Sequence, residues 1–123
     1  MNGWQTCEYR VLARAQQVIQ DFGWIQGEGG DTEIGFCALG ALKIAVCDLW
    51  GVAPWQPNSE SIGAAMFAQG RGRLAAKLDN AVWTLNGLVG NVDIVQWNDV
   101  SGRTQAEVLG LFDQAKQVFW PDK

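Results

Sequence analysis

The sequence predicts an all-α protein, a single compact bundle of about five helices spanning residues 1–123. Two observations carry that expectation. Apolar residues recur at the three-and-four spacing of an amphipathic helix over most of the chain, and capping residues and glycines bracket the periodic stretches. The length agrees: 123 residues can bury roughly two thirds of the unfolded surface without disulfides or metal. No internal repeat appears, and no linker is long enough to divide the chain.

In the first helix Val11, Leu12, Ala15, Val18, Ile19 and Phe22 share a stripe, with Arg10, Arg14, Gln17 and Asp21 opposite. Thr6 is placed as its N-cap, Glu8 suits the positive end of the dipole, and Gly23 terminates it. The linker from Trp24 to Gly35 reads as a flexible, partly acidic loop. The second helix, from about Phe36 to Trp50, carries a small face (Ala38, Ala41, Ala45) and a bulky one (Leu39, Leu42, Val46, Leu49). Apolar nearly all round, it is expected at the centre of the bundle. Pro54 and Pro57 hold the next segment extended, with Trp50 and Trp55 placed to pack across it.

A shorter helix follows from about Ser59 to Gln69, and Gly70-Arg71-Gly72 breaks the period. Leu74, Leu78, Val82 and Leu85 define a fourth helix stopping at Gly87. Residues 91–97 fit either a single helical turn or a short strand near 92–97, because their apolar residues satisfy both periods. In the last helix Thr104 and Glu107 form a capping box, and Val108, Leu109, Phe112, Ala115 and Phe119 form the buried stripe. Pro121 bars its continuation.

Composition excludes several chemistries. A net charge of −4 gives no electrostatic footprint for nucleic acid, which needs clustered Lys and Arg. The three cysteines include no Cys-x-x-Cys pair and there is no histidine, so no metal site and no cofactor are expected. Cys37 and Cys47 lie in one predicted helix about 15 Å apart, beyond disulfide reach. The odd cysteine count, the lack of a secretory signal at the N-terminus and the lack of a membrane-length apolar run set a cytoplasmic, non-membrane expectation.

Three blocks carry a family resemblance: Gly23-Trp24-x-Gln26-Gly27, Phe36-Cys37-Ala38-Leu39-Gly40-Ala41-Leu42, and Trp97-Asn98-Asp99-x-x-Gly102-Arg103-Thr104 with Glu107-Val108-Leu109. In that order they resemble a family of small uncharacterised bacterial and bacteriophage proteins. The resemblance implies a compact helical domain of bacterial or phage origin and brings no reaction with it.

The Trp97–Thr104 turn is the densest group of special residues. One reading is structural: Trp97 fills the core, Asp99 pairs with Arg103 or accepts turn N–H groups, and Thr104 caps. The other is functional, with Asn98 and Asp99 facing solvent beside an aromatic wall to recognise an amide, hydroxyl or amine. Chemistry alone favours the structural reading. The functional one makes Trp97, Asn98, Asp99, Arg103, Trp24 and Gln26 the candidate contacts for a protein partner or small polar ligand.

Cys37, near a helix start, is the candidate nucleophile, with Asp99 to accept its proton. Its apolar neighbours and the absence of a histidine favour packing instead. The Gly70–Arg73 turn could cradle an anion, yet lacks the ending of a phosphate-binding loop and reads better as a solvated turn between helices. Glu28, Asp31 and Glu33 lack the spacing of a calcium loop. Seven tryptophans are too many for a small helical domain to bury fully: either they plug the ends of the bundle between helices, or they form a partly exposed aromatic surface for another protein or a second copy.

Together these observations predict a non-catalytic binding module, such as a phage or prophage accessory protein modulating a host factor. The alternative is an enzyme built on Cys37 and Asp99, and a third option is an oligomeric scaffold. An exposed tryptophan would favour the module; burial of the Cys37 sulfur would count against the enzyme.

Overall fold

A computed structural model describes residues 6–27, 30–31, 33–50 and 72–119. Trp4, Glu28, Pro54, Trp55, Pro57, the expected helix at 59–69, Gly70, Arg71, Trp120 and Pro121 lie outside the described residues, as does the side chain of Asp31. The elements are α1 (Cys7–Phe22), β1 (Gly30–Asp31), β2 (Gly35–Phe36), α2 (Ala38–Trp50), α3 (Gly72–Leu88), α4 (Ile94–Asn98) and α5 (Gln105–Val118). The fold is a compact helical one, as the periodicity predicts.

The ends of α1 follow the sequence closely. The Thr6 side chain accepts from the Tyr9 N–H at 3.1 Å, and Gly23 leaves the helix at φ +95° while its own N–H returns to the Ile19 carbonyl. Val11, Leu12, Ala15, Val18 and Ile19 are buried; Phe22, at the helix end, stays 41% exposed and sets its ring edge-on against Phe36. Two polar side chains, Glu8 and Gln16, are buried on the same helix. Burial of unpaired polar groups costs free energy, and here both are paired. The Glu8 carboxylate receives Asn80 Nδ2 at 3.2 Å and Lys77 at 3.6 Å. Gln16 Nε2 donates to the Leu109 carbonyl and to Asp113 across on α5.

These partners show which helix is central. Among the described elements α1 packs against α2, α3 and α5, and α3 and α5 close on each other. Among the described elements α1 thus shares the central place expected of α2. The alanine face of α2 (Ala38, Ala41, Ala45) is fully buried and lets a neighbour's backbone come close. The helix it meets most extensively among the described elements, α1, carries the paired polar groups that tie it to two further helices.

Two other expectations change. The 24–35 linker is not wholly irregular: Gly30 pairs with Phe36 and Asp31 with Gly35 in a two-stranded antiparallel sheet. Phe36 consequently belongs to β2, and α2 starts two residues later than expected. Residues 94–98 take the helical one of the two forms expected, because acceptors are supplied for two of the helix's first N–H groups, one by Asp93 and one by Asn86 on α3. The Asp93 carboxylate accepts from the Val95 N–H at 2.8 Å and Asn86 Oδ1 from the Ile94 N–H at 2.7 Å. At α5 the expected capping box is present: Thr104 accepts from the Glu107 N–H while Glu107 accepts from the Thr104 N–H. That hydrogen bond from the Thr104 backbone holds the Glu107 carboxyl below its usual range.

The segment after α1 turns back along β2, with the Phe36 N–H donating to the Gly23 carbonyl at 3.0 Å and the Ile25 N–H to the Phe36 carbonyl at 3.2 Å. Gly35 makes this approach possible. Its φ is +98°, and a Cβ there would stand 2.7 Å from both the Gly23 carbonyl carbon and oxygen. Gly27 also has positive φ (+92°) but faces open space. Gly35→Ala should therefore lower unfolding free energy in urea by about 2–4 kcal/mol, combining the left-handed penalty with overpacking, and Gly27→Ala by only about 1–2 kcal/mol. Equal losses would show that the close approach to Gly23 contributes nothing.

Candidate functional site

The Trp97–Thr104 turn follows α4 directly. Its backbone is closed by the Asp99 N–H on the Val95 and Gln96 carbonyls, and by the Arg103 N–H on the Val100 carbonyl at 3.0 Å. Gly102 supplies the positive φ (+87°) that brings the chain round to α5.

The neighbouring residues Asn98 and Asp99 have opposite fates. Asn98 is fully buried. Its Oδ1 accepts from the Trp24 indole Nε1 at 2.7 Å and from the Ala38 N–H at 3.0 Å. Its Nδ2 donates to the Ile25 carbonyl at 3.1 Å and to Asp99 Oδ1 at 3.0 Å. A carboxamide has two acceptor lone pairs and two N–H donors, so every one of its hydrogen-bonding positions is engaged within the protein. Ala38 is the first residue of α2, and the amide oxygen thereby serves one of that helix's open N-terminal donors.

Asp99 is exposed. It accepts from Asn98 and from the Gly27 N–H at 2.8 Å, and its partner is not Arg103 as one sequence reading had it. Gln26 Nε2 bridges the Asn98 and Val100 carbonyls at 2.9 and 2.8 Å. Arg103 instead lies flat over the Trp97 ring, 3.9 Å from its centroid, donates to the Trp97 carbonyl at 3.0 Å, and pairs with Glu107 at 3.0 Å. Thus Trp24, Gln26, Trp97, Asn98, Asp99 and Arg103 do converge, as one interlocked group. Its buried member, Asn98, offers solvent nothing. Trp97, half-buried, also lines a cleft of about 390 Å³ between α3 and α5 with Leu88, Gly110 and Gln114.

Cys37 is brought beside this group, since its chain neighbour Ala38 is held by Asn98. Its sulfur is buried and accepts from the Gly40 N–H at 3.3 Å. Burial pushes the thiol up, against the pull of the Gly40 and Leu39 N–H groups, and the charge of Asp99 pushes it further. An activated nucleophile needs the opposite shift. Cys47 is likewise raised by burial, to about 11. Among the described residues no group of three His, Cys, Asp or Glu side chains is gathered to hold a metal ion, and no helix is long and apolar enough to cross a membrane.

A second location was not singled out by the sequence. Trp83 on α3 is 79% exposed. Its ring lines a recess of about 430 Å³ together with Asn86, Asn91, Val92 and Asp93. Its neighbours on the helix, Leu78, Ala81 and Leu85, form the buried stripe, and Trp83 falls off it. A bulky aromatic on the polar face of an otherwise regular helix is the signal that locates this surface.

Two outcomes test the assignments in this region. Asn98→Ala strands the Trp24 and Ala38 N–H groups, and at about 1–3 kcal/mol for each orphan should cost at least about 2 kcal/mol in urea unfolding and remove hydrogen-exchange protection at Ala38. A loss under about 1 kcal/mol would refute its role as an anchor. In native protein near neutral pH, iodoacetamide should label Cys7 well before Cys37; prompt labelling of Cys37 would reopen the thiol as a nucleophile.

No curated protein and no solved structure matches the chain. The model of a family of unknown function, DUF6197, matches residues 8–118, taking in α1, the Asn98 anchor and the Trp83 surface, and the chain belongs to that family.

Proposed function

We propose that this protein is a non-catalytic interaction module whose contact surface centres on Trp83. The observation that carries the reading is the 79% exposure of a full indole at the mouth of a recess. The other described tryptophans are half-covered: Trp24, Trp50 and Trp97 pack against the core. Exposed aromatic side chains of this size are the commonest anchors of protein interfaces, and covering one releases a large apolar area from water. Leu88, Val92 and Val95, all more than a third exposed, extend apolar surface over the same end of α3 and the start of α4.

On this reading the Trp97–Arg103 group holds the surface in place. Asn98 fixes the end of α4, and Asn86 fixes its beginning to α3. Asp93, Val92 and Trp83 thereby keep a constant relation. Asp99 and Gln26 are the members of that group closest to solvent and are proposed as rim contacts. For a phage-borne gene, the partner proposed is a host factor that the module modulates. Catalysis through Cys37 gains no support from a buried, raised thiol.

The test is capture from a lysate of the source organism by tagged protein, comparing wild type with Trp83→Ala. The variant should unfold within about 0.5 kcal/mol of wild type, as exposed positions do, while retaining at least tenfold less partner, the loss of about 2 kcal/mol expected of an anchor. Equal capture by the two proteins would overturn the reading.

A further inference from the structure

Three of the aromatic rings that the fold leaves partly open carry a basic side chain. Arg103 lies 3.9 Å over Trp97, Arg10 lies 5.2 Å from the Trp50 ring, and the Lys116 ammonium is 5.8 Å from that of Tyr9. A cation on a ring face is held by the ring quadrupole. Trp83 is the most exposed of these aromatics, and no cation of the described residues lies on it.

Its surroundings are nonetheless those of a cation site. Asp79 stands one turn before Trp83 on α3, on the same helical face, and is exposed. Asp93 and Trp83 line one recess. Asp93 is exposed and uses Oδ1 to cap α4. Asn86 and Asn91 place amide groups around the same recess, and the negative end of the α3 dipole terminates beside it. From residue 78 to 102 the chain carries three aspartates and no lysine or arginine. Lys77, the nearest basic residue before this stretch, is drawn to Glu8 on α1.

We propose that the Trp83 recess takes an arginine or lysine side chain from a basic segment of a partner protein, with the cation over the indole and Asp79 and Asp93 flanking it. This rests on the reading of Trp83 as the contact surface and names the partner's chemistry. Anionic partners are disfavoured by the two carboxylates. A neutral planar ligand such as a sugar would use the ring and the amides but would have no need of the aspartates.

The experiment follows the Trp83 indole N–H in ¹⁵N-labelled full-length protein, its signal assigned by its loss in Trp83→Phe. The probes are hexa-arginine, hexa-glutamate and maltohexaose at low ionic strength. Hexa-arginine should move the signal saturably, and high salt should weaken the effect because the pair is exposed. Asp79→Asn with Asp93→Asn removes both charges but keeps an amide oxygen to cap α4, and should weaken binding by about fivefold or more. No shift with hexa-arginine, an equal affinity in the double variant, or a shift with maltohexaose alone would overturn the cationic assignment. Those results leave the module reading standing if lysate capture still depends on Trp83; capture that ignores Trp83→Ala removes both.

Discussion

One buried carboxamide fixes how α4 meets the start of α2 and the segment that follows α1. Asn98 sits at the end of α4, and through its four hydrogen bonds it touches the segment after α1, the start of α2 and its own turn. An amide transferred from water without compensation costs roughly 2–7 kcal/mol, so a partly satisfied Asn98 would oppose folding strongly. A fully satisfied one admits a single arrangement. Trp24 must aim its N–H inward, α2 must begin at Ala38, and Ile25 must lie within reach. Shape complementarity among leucines and alanines tolerates small slips; this set of directional bonds does not.

The consequences spread outward from that point. Because the Asn98 oxygen serves the first donor of α2, the Cys37 sulfur is left to serve a later one, and it is walled in while doing so. Near a helix N-terminus the dipole should favour thiolate, yet desolvation outweighs it and the thiol is raised. The same anchoring sets Asp93 and Val92 against the end of α3. The polar interior and the aromatic exterior are thus linked through five residues of helix.

Much of this was legible in the residues themselves. Thr6, Gly23 and the Thr104–Glu107 pair mark helix ends through chemistry local to a few positions, and local chemistry can be read from sequence. The turn at Trp97-Asn98-Asp99 stands out for the same reason. Which of two adjacent polar residues points inward is settled by Trp24, Ile25 and Ala38, some 60 to 74 positions away, and no local pattern encodes it. The ambiguity at 91–97 is resolved by Asn86, which supplies a cap from the preceding helix. Reading stripes for what they bury also hides what they leave out: Trp83 is conspicuous only when the polar face of α3 is read with the same care as the apolar one.

The pairing of α1 with α5 bears on how the chain folds. Gln16 donates to Leu109 and Asp113, and Thr6 reaches the Phe119 carbonyl across 113 positions of sequence. Until α5 docks, the stripe of α1 that holds Val11, Leu12 and Ile19 lacks one of the helices that cover it. Contacts of such long range are slow to form and reward the chain only once closed. The apolar stripe of α1 is therefore sealed only when elements about a hundred positions apart have met, and the chain gains its stability from α1 and α5 together, not from either helix alone.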